Sequence, residues 1–185
     1  MVIFFSISDI VPVETSRLIL RKFVPGDAPD VFRWASDRDI ARYEPWEPLE
    51  TMADAEASVR ASITKYNMNN EFDLAIQLKS TGQVIGIIGI SHIDRQHGWC
   101  EAGYTIGRKY WNHGYASEAL QAFIQFAFRD LGVFRIEAVC MIDNRASERV
   151  MQKANMQYEG IKYGRYYANG EYHSSKMYYI LKSYS

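Results

Sequence analysis

The run from Tyr104 to Leu120, YTIGRKYWNHGYASEAL, constrains the chain more than any other stretch. It reads as a strand that stops at Ile106, a compact loop of small, basic and amide residues from Gly107 to Gly114, and a helix from Tyr115 onward. Ala116, Leu120, Phe123, Ala127 and Leu131 recur at helical spacing, so one face packs on a sheet while Glu118, Gln121 and Gln125 face elsewhere. The first turn of such a helix carries N–H groups without intrahelical acceptors and about half a positive charge from its aligned peptides. Gly114 in front of it lets an anion approach the backbone closely. This is the chemistry of a phosphate cradle, although a glycine at an ordinary tight turn has the same spacing.

Composition narrows the class. The chain has 185 residues, 48% of them hydrophobic, enough for one domain over residues 1–185 with a full core. A formal net charge of -1 supplies no overall field for nucleic acid or an anionic membrane, so neither is expected as a partner. Cys100 and Cys140 stand in apolar runs that read as strands, without CxxC or Cys/His ligand spacing, and fit buried free thiols of a reducing compartment. His92, His97, His113 and His173 show no metal-ligand spacing either, and no metal is expected. No apolar stretch approaches the roughly 18 residues of a membrane helix. The opening MVIFFSISDIV lacks a basic leader region and a small-residue cleavage site and reads as a strand or lead-in, which leaves the cytoplasm as the expected location.

Along the chain, Arg17 to Phe23 reads as a first strand, followed by Pro25-Gly26-Asp27 and a helix for which Asp27 is the expected N-cap. The segment Tyr43 to Glu50, with two prolines, is a loop carrying aromatics and carboxylates. Thr51 opens the next helix with Asp54 placed to complete a capping box, and Ala55, Val59, Ile63 and Tyr66 mark its buried stripe. Strands follow at Phe72–Leu78, Val84–Ile93 and Trp99–Ile106; the central helix comes next, then a strand at Phe134–Ile142 and a short helix at Asn144–Ala154. Strands at Met156–Tyr166 and Glu171–Leu181 form a last hairpin across Asn169-Gly170. Periodicity supports an α/β (α+β) fold, a mixed sheet with helices packed on it.

The loop resembles the cofactor-binding loop of the GNAT acyltransferases, with Lys109, Asn112 and Gly114 at the positions of its pattern. Gly103, Tyr104, Ile106, Tyr110, Trp111, Gly114, Tyr115, Ala116, Glu118 and Ala119 are similar to the ribosomal-protein-alanine N-acetyltransferase branch. The segment Asp143 to Gly160 is the second likeness, through Asn144, Ser147, Val150, Lys153, Glu159 and Gly160. Asn155 and Met156 stand where Gly and Phe are usual; Asn tolerates a left-handed helix end and Met fills an aromatic's place. The resemblance covers about residues 14–182 and implies a mostly antiparallel central sheet with helices on both faces. It also implies acetyl-CoA as cosubstrate, held by Tyr104, Ile106, Lys109, Asn112, His113, Gly114, Tyr115, Ala116, Ser117, Asn144 and Ser147. In related enzymes the asparagine bonds a pantetheine amide and the serine lies near the thioester sulfur. Many members also carry a tyrosine seven residues after that asparagine as the acid for the leaving thiolate. Here the position is Met151, which has no proton to give, and Ser147 or a water it holds is left as the candidate.

Acyl transfer to an amine needs a polarised carbonyl, a neutral amine and an exit for the thiolate. Strand N–H groups near Tyr104 to Ile106, freed by a bulge or splay, would supply the oxyanion contact. Glu101, in the otherwise apolar WCEAGYTI, is the candidate general base, with a solvated strand face as the plain alternative. Tyr43, Glu44, Trp46 and Glu47 combine aromatic surface with negative charge and are candidates for binding a cationic amine; a packed aromatic loop with solvated carboxylates is the alternative. With neither cysteine expected in the site, transfer in a ternary complex to a protein N-terminus or a small-molecule amine is expected. A non-catalytic acyl-CoA sensor is the rival that Met151 raises. An exposed final hairpin or N-terminal segment leaves a homodimer open.

Overall fold

The computed structural model describes residues 10–44, 46–67, 71–168 and 170–183. The opening residues before Ile10 and the hairpin residue Asn169, both included in readings above, lie outside the described residues. Among the described residues, eight strands form one mixed, mostly antiparallel sheet: β1 (Val13–Glu14), β2 (Leu18–Arg21), β3 (Phe72–Leu78), β4 (Val84–Asp94), β5 (Trp99–Ile106), β6 (Arg135–Met141), β7 (Gln157–Ala168) and β8 (Glu171–Leu181). Their order across the sheet is β1-β2-β3-β4-β5-β6-β8-β7, and only β5 and β6 run parallel. Helices α1 (Ala28–Ala35), α2 (Arg38–Ala41) and α3 (Met52–Lys65) precede β3; α4 (Tyr115–Phe126) follows β5, and α5 (Arg145–Lys153) follows β6.

Alternation along the strands feeds two cores. Leu18, Leu74, Ile76, Ile88 and Ala102 face α4, where Leu120 and Phe123 are fully buried, and α5, where Met151 is. On the opposite face Ala75 and Val84 meet Val31 and Trp34 of α1 and Ala55 and Val59 of α3. Helices therefore cover both faces, as the resemblance implied.

The local signals explain most boundaries. Thr51 caps α3 by accepting from the Asp54 N–H at 3.2 Å while the Asp54 carboxylate accepts from the Thr51 N–H at 2.8 Å. Asp27 occupies the cap position of α1 but its side chain does not cap it. A 3-10 turn over Pro25–Asp27 turns the carboxylate back toward β2, where it takes both Arg21 guanidinium nitrogens at 2.8 Å and the Val24 N–H at 2.9 Å. The first strand is shorter than expected and is preceded by the two-residue β1, and α2 is a single turn capped by Asp37; neither addition is long enough to show a period. The central helix ends in a wider turn over Ala127–Leu131 before left-handed Gly132.

Asn155 follows the end of α5 with φ 61°, and the next N–H, of Met156, reaches back to the Met151 carbonyl at 3.1 Å. Met156 is buried, as a replacement for an aromatic must be. Asn155→Ala should therefore cost about 1 kcal/mol by urea unfolding, and Asn155→Gly should match or slightly exceed the parent, because only the alanine puts a Cβ into the left-handed region.

Candidate active site

The loop after β5 is built to leave a helix start bare. Asn112 and Gly114 are both left-handed, with φ 62° and 81°. The first α4 N–H to find a helical acceptor is that of Glu118, bonded to the Gly114 carbonyl at 3.0 Å. The amides of Tyr115, Ala116 and Ser117 thus lack intrahelical acceptors, and no side chain caps the helix. The one acidic residue of the first turn, Glu118, is held elsewhere: it accepts from Thr15 Oγ1 and Arg17 Nε, each at 2.6 Å. Arg17 also donates to the His113 carbonyl at 3.0 Å and lies 4.5 Å from the Tyr115 ring centre. His113 stacks on the same Tyr115 ring at 5.7 Å, and Trp111 Nε1 donates to the Ile106 carbonyl at 2.6 Å. Lys109 is exposed beside Tyr110. Arg17 was not singled out from the sequence, because nothing in its spacing links it to a loop 96 residues away.

Beside this helix start the sheet splits. β5 pairs with β6 only through Trp99↔Arg135 to Ala102↔Ala138. From Gly103 to Ile106, β5 stays registered with β4, while Val139 to Met141 of β6 stay registered with β8. Two strand edges therefore face each other across a wedge, and the backbone groups pointing into it have no ladder partner. This is the splay that sequence reasoning required for an oxyanion contact.

Tyr104 spans the wedge to α5. Its hydroxyl lies 2.9 Å from Ser147 Oγ and 3.0 Å from the Ser147 carbonyl, and burial raises its pKa above the ordinary phenol value. Asn144 caps α5 by accepting from the Ser147 N–H at 3.0 Å, so its carbonyl serves the helix and its Nδ2 side remains to donate to a ligand. Cys140 is buried on the splayed half of β6, close enough for its charge to act on Tyr104; burial pushes its thiol up to about 11. The expectation that both cysteines stand away from the site is therefore amended for Cys140, because the wedge opens at Ala138 and Cys140 lies beyond that point.

On the other face of β5, Glu101, Gly103 and Thr105 alternate. Glu101 pairs with Arg165 and lies 3.3 Å from Ser91 Oγ. Arg165 reaches it from an irregular stretch of β7 between Lys162 and Tyr166. A Cβ built on Gly103 would meet nothing within 4 Å, so the space between the two flanking residues is open. Thr105 Oγ1 donates to Glu44 Oε1 at 2.6 Å, and Trp46 also bonds that carboxylate. Burial nevertheless raises the Glu44 pKa from 4.5 to about 7. Glu44, Trp46 and Glu47 border an open basin of about 1000 Å³ that extends to Tyr167. Trp46 packs edge-on against Trp34 at 6.5 Å, which makes it partly a core residue; Tyr43 lies under Arg42, and Glu47 is exposed. The loop thus brings Glu44 to β5 and leaves Glu47 at the rim.

The family is fixed by comparison with known proteins. The acetyltransferase (GNAT) domain family matches residues 17–157. The chain is 32% identical to the uncharacterized N-acetyltransferase YoaA of Bacillus subtilis (strain 168) over 170 residues, which cover 92% of this chain and 96% of that protein. The crystal structure of a GNAT-family acetyltransferase from Bacillus anthracis superposes with TM-score 0.79 at 29% identity, covering 92% of this chain and 98% of that one. RimL, a ribosomal L7/L12 alpha-N-protein acetyltransferase in complex with coenzyme A, shares the fold with TM-score 0.82 at 20% identity, covering 92% of this chain and 98% of that one. The chain belongs to the GNAT acetyltransferases and is an acetyl-CoA-dependent N-acetyltransferase.

The Glu44 shift fixes a pH dependence of stability. A carboxyl that is more basic in the folded state than unfolded stabilises fully below about 4.5, and that contribution is lost as pH rises through about 7. Glu44→Gln should therefore raise the melting temperature more at pH 8 than at pH 5, by up to about 3 kcal/mol of stability at the higher pH. Thermal unfolding of both proteins across that range checks the sign.

Proposed function

We propose that the chain carries the acetyl group of acetyl-CoA directly to a primary amine, a protein N-terminus or a small molecule, within a ternary complex. The observation that carries this reading is the convergence on one wedge of three features: the bare first turn of α4, the free edge of β5 and the Tyr104–Ser147 hydroxyl pair. The RimL likeness in fold makes an α-amine of a protein one acceptor to test.

Each part then has a task. The amides of Tyr115, Ala116 and Ser117 hold the pyrophosphate, with Asn112 and Gly114 shaping the turn and Lys109 and His113 at its rim. The free edge from Tyr104 to Ile106 takes the pantetheine arm as a strand would take a neighbour, with Asn144 donating from the far side. A backbone N–H of that edge polarises the thioester carbonyl. Tyr104 and Ser147 supply hydroxyl hydrogen bonds to the departing sulfur. A phenol raised by burial is less acidic than a thiol near about 8.5, so its contribution is a hydrogen bond to the thiolate more than a full proton transfer. Met151 is wholly buried in the core and takes no part, which leaves Tyr104 to supply from β5 the phenol that other members place on the helix.

Direct transfer is read from initial rates. With acetyl-CoA and each member of an amine panel (an alanyl peptide, spermidine, an alkylamine), plots at varied co-substrate should intersect, and Cys140→Ala should keep its turnover; parallel lines with loss in the variant would replace this reading with a covalent acyl-enzyme. Tyr104→Phe should lower kcat about tenfold with little change in affinity for coenzyme A. Gly114→Asp should abolish the thermal stabilisation by coenzyme A, about 2.7 kcal/mol at a hundredfold excess over Kd in the parent.

A further inference from the structure

Two carboxylates flank the open space over Gly103, and their surroundings divide them. Glu101 is tied to the Arg165 guanidinium and approaches the Ser91 hydroxyl at 3.3 Å, so its charge is already matched. Glu44 comes from the loop after α2 and meets β5 through one short hydrogen bond to Thr105, two residues along from Gly103 on the same face. We propose that Glu44, held by Thr105, is the general base that takes the proton of the acceptor ammonium, and that Glu101, paired with Arg165, positions the acceptor. This rests on the acetyl-transfer reading above and names the base within the same site.

The geometry supports this on three grounds. The Thr105 hydroxyl occupies one lone pair of the carboxylate and fixes its orientation toward the splayed half of β5, where the thioester carbonyl must lie for a β5 N–H to polarise it. The basin beside Glu44 is large enough, at about 1000 Å³, for an acceptor to reach the carboxylate from solvent. Gly103 then leaves room for the amine between carboxylate and wedge.

The charges around Glu44 are of both signs. Arg38 of α2, Arg42 just after it, and Glu47 and Glu50 of the following loop line the basin. From the sheet, Tyr104 of β5 and Tyr166 of β7 feel its charge, and the Glu101–Arg165 pair adds one charge of each sign. Desolvation is the dominant influence, and it moves the carboxyl toward the basicity that an ammonium requires of its acceptor.

The step balances without another reagent. The ammonium gives one proton to Glu44; its nitrogen attacks the carbonyl carbon, the C–N bond forms and the C–S bond breaks. The thiolate leaves with its electron pair, hydrogen-bonded to Tyr104 and Ser147, and takes up the second nitrogen proton as the amide forms. Glu44 returns its proton to solvent.

Two measurements on the full chain test this. First, the carboxyl ¹³C resonance of Glu44, identified by its loss in Glu44→Gln, should titrate with a midpoint near 7, and in Thr105→Val, without the hydroxyl that favours the charged form, the midpoint should rise. A midpoint in the ordinary range of about 4 to 5 would overturn the assignment whatever the acceptor. Second, kcat/KM is followed against pH for the best alkylamine of the panel and for O-methylhydroxylamine, which is neutral at pH 7. Glu44→Gln should lose about a hundredfold or more with the alkylamine at pH 7, regain it as pH rises, and stay within a few-fold of the parent with the neutral amine. Equal loss with both amines, or this pattern in Glu101→Gln instead, would overturn the proposal. No turnover of any amine by the parent would overturn the acetyl-transfer reading and take the base with it, whereas an ordinary Glu44 midpoint removes the base alone.

Discussion

One strand pair that parts halfway along its length governs this structure. A parallel pair held from Trp99 to Ala102 and released from Gly103 leaves backbone groups of two adjacent strands without ladder partners in the middle of a sheet. Unmade backbone hydrogen bonds are costly where water is excluded, so such a split persists only if the rest of the sheet enforces it. Here β4 holds one edge through to Ile106 and β8 holds the other through to Met141, while two cores fix the helices on either face. Under the proposed function, the coenzyme's amide-bearing arm would supply the missing partner. α4 begins at the same end of β5, so its bare amides stand where they would meet the phosphates of a molecule whose arm lay in the wedge.

The site is assembled from features that oppose stability and are held by features that do not. A desolvated Glu44, a left-handed Asn112 and an uncapped α4 each cost free energy locally. Against them stand the clamp of Thr15, Arg17 and Glu118, the capping box at Thr51 and the bidentate Arg21–Asp27 pair. Glu118 shows the division clearly. In the first turn of a helix an acidic residue ordinarily offsets the dipole or caps the amides; here Arg17 and Thr15 draw it aside, so the dipole is left for an anion.

Legibility in the sequence followed interaction range. The bounds of β3 and β5, the capping box at Thr51, the left-handed turn at Asn155 and the start of α4 at Tyr115 were readable because propensity and spacing decide them within a few residues. Elements as short as β1 and α2 carry no period and were not readable. The side-chain role of Asp27 was misread because its true partner, Arg21, competes with the helix cap over six residues. The sequence placed Glu44 and Glu101 among the candidates, and alternation along β5 put Glu101, Gly103 and Thr105 on one face. What divides the two carboxylates is Thr105 bonding Glu44 across 61 residues and Arg165 pairing with Glu101 across 64, and no local pattern shows either. The contact between the Tyr104 hydroxyl and Ser147, made across 43 residues, is equally hidden from any local pattern.

Amide hydrogen exchange with and without coenzyme A tests the central claim most directly. The amides of Tyr115, Ala116 and Ser117 and the wedge-facing amides between Gly103 and Ile106 should exchange readily in the free protein and gain strong protection with the ligand, while Trp99 to Ala102, already paired, should change little. Protection confined to another surface, or wedge amides as slow in the free protein as those of paired β3, would contradict the account.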